Sequence, residues 1–197
     1  MKTKFLKLSL LALVLFTASC SSDDNNDDNT IPAVETKKVS NIDANQTEYV
    51  KFSFSENKIV TTDNWDIAFN KTTIVVNGGV KRTDIEPSKT GSGAASIVSG
   101  TFASVTLYPA ASTFVQDGEA AYAIPTGSGK GWYNYDQTSH IVSPIAGKVF
   151  VVKTHDGKYA KFEILSYYKD APATPDGTNS GFYTFNFAYQ ANSTTTF

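Results

Sequence analysis

The chain has 197 residues, 17 of them basic and 19 acidic, with two histidines, one methionine and one cysteine. A lone cysteine excludes an internal disulfide, so the fold must rest on its hydrophobic core. Without the three lysines of the first nineteen residues, 14 basic stand against 19 acidic residues, a net charge of −5 that makes nucleic acid an unsuitable partner.

Lys2, Lys4 and Lys7 form a basic start and Leu8 to Phe16 an apolar middle, the layout of a signal peptide over residues 1–19. The apolar stretch falls short of the roughly 20 residues that a transmembrane helix needs. Thr17, Ala18 and Ser19 then lead into Cys20, a lipobox-like ending. The chemistry requires a thiol there, because diacylglycerol joins sulfur as a thioether and cleavage frees the cysteine amine for a further acyl chain. Several chains, at about 0.8 kcal/mol per buried methylene, would tether the mature protein to a lipid bilayer. Ser21 to Asn29 carries Asp23, Asp24, Asp27 and Asp28 and no hydrophobic residue, so residues 20–33 are expected to be an acidic flexible tether. Acidic residues behind a lipidated cysteine resemble, in some Gram-negative groups, a signal for passage to the outside of the outer membrane. A lipid-anchored protein of the cell surface is expected.

Residues 34–197 suit one domain, and their pattern is all-β. Glu48 to Ser55 sets Tyr49, Phe52 and Phe54 near strand alternation. Trp65 to Phe69 predicts Trp65, Ile67 and Phe69 on one face. Lys71 to Asn77 is a β-branched run, and Ser88 to Gly93, rich in glycine and serine, reads as a mobile loop. Ala110 to Ala123 has no decisive periodicity. Lys148 to Leu165 predicts a hairpin turning at Asp156-Gly157, Ala171 to Ser180 a loop, and Phe182 to Tyr189 a final strand with Tyr183, Phe185, Phe187 and Tyr189 on one face. The expected architecture is a single antiparallel β-sandwich or curved sheet.

Catalytic motifs are scarce: no HExxH, CxxC, GxSxG or phosphate-cradling glycine loop occurs. Acids such as Asp66, Asp84, Glu119 and Asp136 could pair as in a glycosidase, but nothing in their spacing favours it. The chain reads as a binding protein, not an enzyme. Of the histidines, His155 sits at the predicted hairpin tip, where a solvated turn residue is expected. His140 follows Trp132, Tyr133 and Tyr135. The plainer reading makes these aromatics ordinary core and sheet residues and His140 a satisfied loop residue. The sharper one makes them walls for a flat aromatic ligand whose metal His140 reaches.

Four segments, in this order and spacing, resemble the HmuY family of haem-binding outer-membrane lipoproteins: Asn64 to Phe69, Gly131 to Tyr135, Val149 to Phe162, and Ser166 to Tyr168. The resemblance runs from about Val34 to Tyr189. It implies an all-β, hand-like domain with β-hairpin extensions that hold haem and pass it to an outer-membrane haem receptor. Members grip iron with a pair of histidines or methionines. Near the position of one such ligand this chain has Gln137, with His140 three residues on, so His140 is the expected iron ligand. The stretch that would supply the other, Tyr108 to Lys130, has neither histidine nor methionine but offers Tyr108 and Tyr122, since phenolate can ligate haem. The alternative is a surface interaction or adhesion module that keeps the scaffold without haem.

Overall fold

The computed structural model describes residues 34–192 and 194–197. The signal peptide at 1–19, Cys20 and the tether at 20–33 lie outside the described residues. In chain order the strands are β1 (Thr36–Asp43), β2 (Val50–Ser53), β3 (Lys58–Ile59), β4 (Ile67–Asn70), β5 (Thr73–Val76) and β6 (Ala94–Ser99), followed by β7 (Tyr133–Tyr135), β8 (Val142–Pro144), β9 (Lys148–Lys153), β10 (Tyr159–Tyr168) and β11 (Ser180–Gln190). Two short 3₁₀ turns, Phe102–Ser104 and Ala111–Thr113, are the helical elements of the described residues.

Five strands pair in the order β1-β11-β10-β9-β6, four in the order β3-β2-β4-β5, and β7 and β8 form a separate hairpin. Pairings between these strands are antiparallel, as the all-β reading requires. The two larger sheets bury a common core. Alternation in β11 turns Tyr183, Phe185 and Phe187 inward, where they meet Phe52, Phe54, Ile67 and Phe69 of the four-stranded sheet and Phe150 and Phe162 of β9 and β10. The Phe52 ring stands edge-on to Phe54, Phe185 and Phe187 at centroid distances of 5.7, 5.4 and 5.7 Å, a geometry that adds about 0.5–1.5 kcal/mol per pair beyond area burial.

The predicted hairpin is β9–β10, but its connection is wider than a two-residue turn. Lys153 pairs with Tyr159, Thr154 N–H donates to the Lys158 carbonyl at 2.8 Å, and only Gly157 takes positive φ, at +81°. His155 is no solvated turn residue. Its ring Nδ1 lies 2.9 Å from Asp66 Oδ1 and its backbone N–H donates to the same oxygen at 3.1 Å, while Asp66 Oδ2 accepts from Phe54 N–H at 2.8 Å. A buried carboxylate thus joins the turn of one sheet to two strands of the other, and burial pushes its pKa up against these donors.

Trp65 also departs from expectation: it packs with Val60, Ala68 and Val75 on the outer side of the four-stranded sheet, while Ile67 and Phe69 face the core. That outer side is closed by the segment after β5. There Lys89, with its side chain buried, ion-pairs with Asp117 and lies 3.6 Å from Glu86. The Ser88 to Gly93 stretch is therefore fixed in place. A Cβ on Gly91 would come within 2.6 Å of the His155 Cβ, so glycine there serves close approach instead of mobility.

On the outer side of the five-stranded sheet, Val149, Val151 and Ala188 pack under Phe102 and Val105. Lys161 is buried among them, donating to the carbonyls of Phe102 at 2.9 Å and Val105 at 2.7 Å, and desolvation lowers its pKa.

Two measurements test this packing. Asp66→Ala strips the acceptor from three N–H groups and should lower the unfolding free energy in urea by about 3–5 kcal/mol. For Lys161, a lowered native pKa means that the unfolded chain binds more protons, so its contribution grows as pH rises through the native value toward about 10.4. The stability difference between wild type and Lys161→Met should accordingly widen with pH across that window, and a flat difference would contradict the buried amine.

Candidate functional site

The β7–β8 hairpin projects from the aromatic core, with Tyr133 opposite Pro144, Asn134 opposite Ser143 and Tyr135 opposite Val142. Directly opposed residues share a face, so Tyr133, Tyr135, Val142 and Pro144 stand on one side. It is fastened at several points along its length. Val142 N–H donates to the Tyr168 hydroxyl at 2.8 Å, Ile145 N–H to the Trp132 carbonyl at 2.8 Å, and Tyr135 N–H to Ser128 Oγ at 2.8 Å.

The loop between the strands is ordered by Asp136, whose Oδ1 accepts from Thr138 N–H at 2.7 Å and Ser139 N–H at 3.3 Å. These amides hold the exposed Asp136 carboxyl below the usual carboxylate range. Asp136 N–H donates to the Ile141 carbonyl at 2.9 Å, and His140 completes the loop with φ at +58°. Histidine, with asparagine and aspartate, is among the few non-glycine residues that enter this region readily.

Loop and strand bring His140 to Tyr135. The tyrosine hydroxyl lies 2.6 Å from His140 Nδ1, with ring centroids 6.1 Å apart, and both side chains are exposed. If the phenol donates, Nδ1 accepts and Nε2 carries the proton. If Nδ1–H donates to the phenol oxygen, Nε2 presents a lone pair outward. A metal at Nε2 selects the second tautomer, and the hydroxyl then orients the ring and raises its basicity, as the hydrogen-bond partner of a metal-bound histidine does.

The other expected residues lie elsewhere. Trp132 is not on an open wall: it is 1% exposed, its Nε1–H donates to the Thr72 carbonyl at 2.9 Å, and it contacts Tyr133, Tyr167 and Tyr183. Tyr133 is half-buried against the same core, as are Ile141 and Val142, while the side chains of Tyr135 and His140 are exposed. Tyr122 lies against the outer side of the four-stranded sheet, donating to Glu86 Oε1 at 2.7 Å beneath the Arg82 guanidinium. Tyr108 is on the other outer side, packed on Tyr159 and Phe197. Burial pushes both phenols up, Glu86 adding to the rise at Tyr122 and Tyr159 and Tyr189 at Tyr108. Gln137 is exposed in the loop, and among the described residues no three His, Cys, Asp or Glu side chains converge as a metal cluster.

Sequence reasoning missed the hydroxyl of Tyr168 as the clamp on the hairpin at Val142. It also placed Tyr135 as a wall when its hydroxyl is the partner of His140. A tyrosine five residues before a histidine, across a loop opened by aspartate, is the local signal for the second.

The Tyr122 arrangement can be checked directly. Tyr122→Phe leaves buried Glu86 short of a donor and should lower the unfolding free energy in urea by about 1–3 kcal/mol.

Residues 45–187 match the sequence model of the HmuY protein family. No match is found among curated protein sequences. Three solved structures share the fold. A candidate lipoprotein from Bacteroides fragilis NCTC 9343 aligns at 19% identity and a TM-score of 0.55, covering 82% of this chain and 92% of its own. A candidate HmuY-like haem-binding protein from Bacteroides vulgatus ATCC 8482 aligns at 18% identity and a TM-score of 0.51, over 82% and 95%. The apo HmuY analogue of Tannerella forsythia aligns at 16% identity and a TM-score of 0.53, over 83% and 100%.

Proposed function

This chain belongs to the HmuY family, and from that premise we propose that it is a non-catalytic haem-binding lipoprotein that takes up haem for iron acquisition and passes it to an outer-membrane receptor. Its anchor is acylated Cys20, its place the outer membrane with the domain displayed at the cell surface, and residues 20–33 are the tether. The lipobox-like leader supports the anchor, and the haem-binding description of the Bacteroides vulgatus neighbour supports the ligand.

The observation that carries the reading is the exposed Tyr135–His140 pair of the β7–β8 hairpin. His140 would hold a haem iron there through Nε2, with Tyr135 fixing the tautomer and Tyr133 lending apolar surface beside it. Trp132 would support this from within the core. Tyr108 and Tyr122 are engaged in packing on other faces, which supports His140 as the residue to hold the iron.

Haemin titrated into the purified chain should saturate at a single equivalent with a Soret shift. His140→Asn, which keeps a residue suited to the positive φ, should diminish that shift, and Tyr135→Phe should weaken binding without abolishing it. Only neutral imidazole donates to iron, so protons compete with the metal and acid should release the haem. An unsaturable rise in absorbance, or a spectrum and acid-release midpoint unchanged in His140→Asn, would remove His140 from the role.

A second reading, a surface interaction module that no longer carries haem, draws on the same commitment of Tyr108 and Tyr122 to packing. Growth of a deletion strain on haem as sole iron source separates the two: a defect supports acquisition, and unaltered growth supports the module.

A further inference from the structure

Haem iron offers two axial positions, one on each face of the porphyrin, and His140 can fill only one of them. The chain has two histidines, and its one methionine is Met1. The second histidine, His155, is remote. It lies in the turn before Tyr159, the first residue of β10, whereas the hydroxyl of Tyr168, the last residue of that strand, accepts from Val142 N–H beside the His140 loop. Ten strand residues at about 3.3 Å each put on the order of 30 Å between those ends, so the two imidazoles cannot meet on one iron. His155 is also engaged, with Nδ1 2.9 Å from Asp66 Oδ1. The tyrosines are no better placed. Tyr135 sits at Nδ1 of His140, the ring nitrogen that faces away from a metal on Nε2. Tyr108 packs on Tyr159, at the His155 end of β10, and Tyr122 gives its hydroxyl to Glu86.

The His140 imidazole is nevertheless presented openly. Every residue from Asn134 to His140 is exposed, and the one acid of that stretch, Asp136, has Oδ1 turned onto the amides of Thr138 and Ser139. We propose, on the reading of His140 as an iron ligand, that the second axial ligand is His140 of a second copy of this chain, so that one haem bridges two chains across an approximate two-fold axis at the iron. Such an axis sets one surface patch against itself. Each copy then donates the same Nε2 lone pair and keeps Nδ1–H on its own Tyr135, the orientation that a metal-bound histidine requires. The coordination bonds do the joining, without a large protein surface having to be buried. Release of the haem begins with the loss of one of two iron–nitrogen bonds, which leaves it on a single chain with one face of the iron open.

The test is a haemin titration of the purified full chain, followed by absorbance, electron paramagnetic resonance and sedimentation velocity together. With chain in excess, a doubled mass and a low-spin, six-coordinate spectrum should grow in step up to about half an equivalent of haemin. Haemin beyond that competes for the paired imidazoles and splits the dimers, so saturation is completed at one equivalent per chain with the mass of a monomer. Zinc protoporphyrin, whose metal takes a single axial ligand, should bind without doubling the mass. Millimolar imidazole should return the haem complex to monomer mass while keeping the low-spin spectrum, because it supplies the missing ligand. His140→Asn should abolish the dimer. A monomer at every ratio, saturating at one equivalent, overturns the bridge and leaves His140 as a lone ligand. A low-spin monomer without imidazole also overturns it, by placing both ligands in one chain, as does a dimer that forms without haem, with zinc protoporphyrin or in His140→Asn. A titration that never saturates is a different failure, which removes the bridge together with the haem reading itself.

Discussion

The carboxylate of Asp66 is the constraint on which the architecture turns. It accepts from Phe54, the residue that follows β2, and from the β9–β10 turn through both nitrogens of His155 that face it, so the two sheets are linked by hydrogen bonds as well as pressed together by apolar area. Burying a carboxylate is costly, and three N–H donors converging on two oxygens are what make it tolerable. The chain around it follows. Backbone hydrogen bonds from Asp66 to Phe52 and from Asn77 to Asp66 hold the residue between strands, leaving Trp65 outside and Ile67 inside. The His155 carbonyl in turn receives Ser92 N–H at 3.2 Å, which draws in the glycine-rich segment and, through Lys89, the outer cover of the four-stranded sheet.

The β7–β8 hairpin lies against this frame along its β8 side. Trp132 and Tyr168 belong to the core and hold that side, the Trp132 carbonyl accepting from Ile145 N–H and the Tyr168 hydroxyl from Val142 N–H, while Ile141 and Val142 pack on the core between them. Exposed side chains such as Tyr135 and His140 are thus set by immediate neighbours that are packed or hydrogen-bonded, so they keep their direction without being buried.

Much of this was legible in the chain. The alternation of β11 and the two runs of the β9–β10 hairpin are dense enough in aromatic and β-branched residues that their inward faces follow from periodicity alone. What periodicity cannot reveal is which outer faces are later covered. Trp65 reads as a core residue of one face, yet sits on the other because residues far along the chain close over it. The partner of His155 lies 89 residues earlier, beyond any local pattern. Composition also misled at Ser88 to Gly93, where glycine signals close approach of two backbones as readily as freedom. At the site, His140 and Tyr135 were both visible, but their mutual hydrogen bond depends on a loop conformation that Asp136 sets. That Tyr108 and Tyr122 lie on the outer faces of two different sheets required knowing what each packs against.

The left-handed backbone at His140 has a bearing on descent. At φ of +58° the loop accepts asparagine and glycine with ease, and histidine nearly so, whereas β-branched or bulky residues would strain it. Histidine and asparagine codons differ only in their first base, so a lineage can acquire or discard the imidazole at this tip through a single transition-free substitution, with Asp136 still shaping the turn in either case. The side chain at this position can therefore be exchanged while the hairpin backbone is left undisturbed.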